Sequence, residues 1–221
     1  MTHCTYSVSD KNASGDNFYE QYICQQEYLD YFGEAYGLTS NKSYQDHNSN
    51  QHHACNTPQA RMFNACYLLT YSADDYQNDA YDAPQNILQW GRRYIRENFN
   101  RLRSLCGAGD TIASCTDGTC EVYLSFFYDH SVAERAAILL HEARHEARGH
   151  NANFPVGSVF GCGGDADSHW DHQGAWTFEA GYLCWFYGAG TRTTSAAKER
   201  ARQAANVIID NAFTNHPGFN V

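Results

Sequence analysis

The sequence predicts a mainly α-helical α+β fold, stabilised by disulfides, in which a small β-hairpin leads into one well-marked helix. Three observations carry this. Residues 132–148 are good helix formers with no proline, bracketed by Ser131 and Gly149. Asp117-Gly118, a hairpin-turn dipeptide, precedes the strand-like run Glu121–Tyr128. Nine cysteines stand in 221 residues with no C-x-x-C pair, which favours disulfides over a zinc ribbon or a thioredoxin-type site. The length suits one domain over 1–221, with an N-terminal helical part (1–105) packed on a second part (106–221).

The elements follow in chain order. Residues 16–36 read as a helix on the apolar positions Phe18, Tyr22, Ile23, Leu29 and Phe32. Residues 38–56, rich in Ser, Asn and Gln, read as a polar loop carrying His47, His52 and His53. Thr57-Pro58 starts a helix to about Leu69 that buries Met62, Phe63, Cys66 and Leu69. Asp74, Asp75 and Asp79 follow in an acidic loop. Asp82-Ala83-Pro84 opens a helix to about Leu105, apolar along Ile87, Leu88, Trp90, Tyr94, Ile95, Phe99 and Leu102. Cys115 and Cys120 bracket the hairpin turn and are expected to form a local bridge. Helices over Gly174–Tyr187 and about 196–213 complete the chain, the last burying Ala197, Ala201, Ala204, Val207, Ile208 and Phe213.

Residues 132–148 hold the chemistry. Ser131 and Glu134 have the spacing of a capping box. Gly149 is expected to close the helix in the left-handed conformation. Within lies His141-Glu142-Ala143-Arg144-His145. Four residues are about one helical turn, so both imidazoles project from one face and can share a metal ion. Glu142 stands beside them, placed to take a proton from a water. His141/His145, Glu142/Glu146 and Arg144/Arg148 are all like pairs at i,i+4, which a solvated helix avoids. A bound cation partnered by acids would account for them.

A helical H-E-x-x-H preceded by a strand resembles the zincin metallopeptidases, over about thirty residues. The resemblance implies Zn2+ bound by His141 and His145, with Glu142 as general base. The third ligand is open. The metzincin pattern H-E-x-x-H-x-x-G-x-x-H is not matched: Gly149 comes one residue later and His150 one earlier. His150 is the leading candidate, provided the helix breaks; in an unbroken helix it would point away from His141. Glu179, as in gluzincins, and Asp165, Asp167 or Asp171, as in aspzincins, are the alternatives.

The expected function is a secreted zinc-dependent hydrolase of peptide or amide bonds, acting on a peptide or protein substrate. Its rival is a non-catalytic, disulfide-rich extracellular module with a structural metal or none. The formal net charge of −10 disfavours nucleic acid and anionic membranes. No apolar run is long enough to span a bilayer. The odd cysteine count points to a disulfide-linked or self-associated oligomer. No signal peptide is present, so a secreted form would be the mature one.

Overall fold

The structure is a computed structural model and describes residues 31, 34–36, 43–46, 58–73, 83–105 and 111–221. Outside these residues lie most of the helix expected over 16–36, His47, His52, His53, the acidic loop at 74–79, and Cys4, Cys24, Cys55 and Cys106. The described elements are β1 (Ser43–Asp46), α1 (Pro58–Tyr71), α2 (Ile87–Asn98), β2 (Arg101–Ser104), β3 (Ala113–Thr116), β4 (Thr119–Val122), α3 (Leu124–Tyr128), α4 (Val132–His145), α5 (Ala175–Ala189) and α6 (Ser195–Asn211). A 3-10 turn at Trp170–His172 precedes α5.

Helix α4 is the centre of the packing. Twelve of its fourteen residues are buried, and it touches α1, α2, α5, α6 and β3. Its start follows from the sequence: Ser131 Oγ accepts from Glu134 N, and Glu134 Oε2 accepts from Ser131 N at 2.8 Å. Ala136, Ala137, Leu139, Leu140 and Ala143 supply the small and medium side chains that let four helices crowd round it. Two buried arginines fix the corner before it. Arg135 Nη1 donates to the carbonyls of His130 and Phe127, and Arg61 Nη1 reaches the same Phe127 carbonyl. Among the described residues no helix is long and apolar enough to cross a membrane.

The sheet has the order β1-β2-β4-β3, parallel except for the β3–β4 hairpin. Asp117 (φ 51°) and Gly118 (φ 68°) make the hairpin turn, and Cys115 and Cys120 are directly opposite each other and disulfide-bonded, as expected. Cys66, Cys162 and Cys184 are free thiols.

Several expectations are corrected. The supposed polar loop at 38–56 contains strand β1, whose place comes from pairing with β2 rather than from its own composition. The helix expected up to Leu105 ends at Asn98. Phe99 is extended, and Arg101–Ser104 alternates exposed and buried as a strand, with Leu102 inside and Arg103 paired to Glu121 across the ladder. The strand expected over Glu121–Tyr128 stops at Val122. Leu124, Phe126 and Phe127 are all buried, and they form the short helix α3 instead. Helix α4 ends at His145, and Gly149 is not left-handed. Val207, expected in the core, is 45% exposed, and the buried position is Ala205.

Candidate metal centre

The early end of α4 builds the site. After His145 the chain turns, with Arg148 N donating to Arg144 O at 2.9 Å. It then runs antiparallel to residues 165–167 through the Ala152–Ala166 bridge. The break brings His150 back over the last turn of the helix. The ring of His150 lies 5.3 Å from that of His141 and 4.7 Å from that of His145, centroid to centroid. One ligand atom from each of His141, His145 and His150 lies within 4.8 Å of the others, and these three could hold a metal ion. A tetrahedral ion with Zn–N of 2.0–2.1 Å would draw them to about 3.4 Å apart, so binding would tighten the group slightly.

The three residues fit a metal on two further counts. First, the imidazoles are backed by acids. Asp167 Oδ1 lies 3.0 Å from His150 Nδ1, which leaves Nε2 of His150 to face the group. Glu179 Oε2 lies 2.7 Å from His141 Nδ1, off the direct line of a hydrogen bond. Carboxylates behind metal-binding histidines fix the ring and its tautomer. Second, Glu142 is 5% exposed and its Oε2 has no hydrogen-bond partner. A buried carboxylate oxygen with nothing to bind is costly unless something polar normally faces it.

Electrostatics agree. Burial, then the neighbouring imidazoles, push His141 and His145 down to about 3, so both are neutral, the form that binds metals. Burial, with the charge of Glu179 added, pushes Glu142 up to about 8. Burial also lifts Glu179 to about 8.

The scaffold around the site is rigid. Asp167 is fully buried. Its N–H donates to Ala212 O and its carbonyl accepts from Thr214 N, which ties it to the end of α6. Arg144 Nε donates to Gln173 O at 2.9 Å while its guanidinium covers the Phe178 ring at 4.2 Å. Arg148 Nη1 donates to His172 O at 2.6 Å. Arg144 in α4 and Arg148 just beyond it thus anchor the segment that follows Asp167.

The candidates for third ligand separate cleanly in space. His150 joins His141 and His145. Asp167 stands behind His150, and Glu179 lies against His141 and also lines the cleft. Asp165 lines the cleft, and Asp171 is exposed in the 3-10 turn. Sequence reasoning missed Trp176, whose ring packs edge-on against His141 at 4.6 Å and stacks on Phe160 at 4.8 Å. Its spacing of three from Glu179 on one helix was the available signal.

The histidines open into a cleft of about 850 Å³, within the usual range for ligand pockets. Thr111–Cys115 runs along one side. Among the described residues β3 pairs only with β4, so its other edge is unpaired beside the cleft. Comparison with known proteins gives no match: no family model fits the chain, and no curated protein or solved structure is similar to it.

Proposed function

We propose that this protein is a zinc-dependent hydrolase of peptide or amide bonds, with His141, His145 and His150 as the metal ligands and Glu142 as the general base. The observation that carries the reading is the pairing of three converging imidazoles with a buried, unpartnered carboxylate oxygen on the same helix. A zinc ion held by three protein ligands supplies a Lewis acid with one open position, where water is acidified and a carbonyl polarised. Glu142 is placed to take the proton from the attacking water and to return it to the leaving amine. The three histidines, Glu142 and Glu179 border the open cleft, while Asp167 bonds His150 from behind and Glu179 lies beside His141.

Two features favour a polypeptide substrate over a small amide. The cleft holds about 850 Å³, and among the described residues one edge of β3, which lines it, pairs with no strand and offers backbone donors and acceptors to an extended chain. The Cys115–Cys120 disulfide suits an oxidising, extracellular location. Among the described residues three histidines make up the group, the ligand number of a catalytic zinc site with one open position.

Elemental analysis of protein purified without a metal-affinity column tests the reading. About one zinc per chain, lost in His141→Ala, is expected. No stoichiometric metal after zinc is added back would overturn it. Zinc bound with no amide hydrolysis, and indifference to Glu142→Gln, would leave a structural site in its place.

A further inference from the structure

The cleft has two chemically different walls. One, along β3 and the start of α4, is mixed: Thr111, Ser114, His130 and Glu134 stand beside Ile112, Ala113 and Ile138. The other is apolar: Phe154 and Phe160 from the loop after α4, Trp176 from α5, and Ala204, Val207 and Ile208 from α6. Phe160 lies 5.7 Å from Phe154 and stacks on Trp176, which itself packs against His141. Phe154, Phe160 and Trp176 thus form one aromatic cluster that reaches His141.

Ile208 belongs to the core, and Phe154, Phe160, Trp176 and Ala204 pack against it from the cleft side. Val207 follows the apolar rhythm of α6, yet it is 45% exposed and faces the cleft. Asn211, one helical turn on, accepts from Val159 N through Oδ1 at 3.1 Å. That contact sets Val159, 69% exposed, next to the same face. Val156, on the same loop, is also fully exposed. Hydrogen bonds tie the loop to the end of α6, to the segment after it and to itself. Ser158 Oγ donates to Asn211 O, Thr214 Oγ1 donates to Asn153 O, and Phe154 N donates to Gly163 O. Val207 and the half-buried Phe154, Phe160 and Trp176 line the same cleft and form an apolar subsite.

We propose that this wall is a side-chain subsite, and that the substrate polypeptide carries a large apolar residue, aromatic or long aliphatic, next to the bond that is cut. The inference rests on the metal-hydrolase reading above. Side chains of an extended chain alternate between opposite sides, so a backbone along β3 would send one residue towards Phe160 and Val207 and its neighbour away from them. Phe160 and Val207 determine the preference.

The test uses the zinc-loaded full chain and two probes, N-acetylphenylalanine hydroxamate and N-acetylglycine hydroxamate, titrated by calorimetry. The hydroxamate binds the metal and the side chain reports on the wall. The phenylalanine probe is expected to bind at least about tenfold more tightly, and Phe160→Ala and Val207→Glu each to abolish that preference with the glycine probe unchanged within about twofold. Matched peptides with Phe or Gly at that position should show the same order in kcat/KM. Equal binding of the two probes, or a preference that survives both substitutions, overturns the subsite alone. Failure of both probes to bind the zinc-loaded protein overturns the hydrolase reading and the subsite together.

Discussion

The carboxylate of Asp167 occupies the space where a β-carbon on residue 174 would be. A methyl group placed on Gly174 would lie 2.5 Å from both Oδ1 and Oδ2 of Asp167. Residue 174 is glycine because the acid behind His150 needs that room, and not for its backbone angles, which any residue adopts.

Gly174→Ala should therefore weaken metal binding without unfolding the chain. The new methyl would displace Asp167, and His150 would lose the contact that sets its ring. Zinc affinity is expected to fall about 10–100-fold, measured by competition with a chromophoric chelator. Far-ultraviolet dichroism should not change. Unaltered affinity would mean that Asp167 does not orient His150.

Glu142→Gln separates chemistry from structure. Glutamine keeps the shape and cannot act as a base, so turnover should fall by about 10²–10⁴-fold with zinc still bound. Stability of the metal-free protein should hold or rise, because burial disfavours the charged form of Glu142. A large loss of stability would show that the carboxylate has a structural partner.

Glu179→Gln tests the acid behind His141. Zinc affinity should drop about 10–100-fold, with the fold retained. Asp171→Asn, on the exposed 3-10 turn, is the matched control and should bind zinc normally. Equal behaviour of the two variants would remove Glu179 from the site.

Glu134 makes stability depend on acidity. Burial raises its pKa, but the hydrogen bond and charge of His130 and the bonds to Ser131 outweigh this and bring it from 4.5 to about 2. The folded value is below the unfolded one. Its contribution is therefore full above pH 4.5 and fades as pH falls towards 2. Denaturant unfolding should show Glu134→Gln to be weaker than the parent by about 2 kcal/mol at pH 7, with the gap closing at pH 2. A constant gap would assign the loss to capping geometry alone.

What the sequence made legible was local. Ser131 and Glu134 are three residues apart and cap their own helix, so the start of α4 could be read directly. The Asp117-Gly118 turn and its flanking cysteines are equally self-contained. The end of α4 was not readable, because Glu146, Ala147 and Arg148 are good helix formers. What accompanies the stop is distant: Arg144 and Arg148 bind the carbonyls of Gln173 and His172. Strands β1 and β2 were missed for the same reason, since each exists through its neighbour. His141, His145 and Glu142 followed from helical spacing. The separate places of Asp167 and Glu179 depended on two later segments folding back, which no spacing rule contains.

The three histidines that could hold a metal ion fall within ten consecutive residues, His141 to His150. Bringing them together closes a very short loop, and the entropy lost in closing a loop grows only with its length. An ion could thus staple this stretch while most of the chain is still unpacked. The bend after α4 would be set early, ahead of the pairing of residues 152 and 166 that it makes possible. The metal would then guide the order of folding as well as the chemistry, with refolding faster in zinc than in chelator.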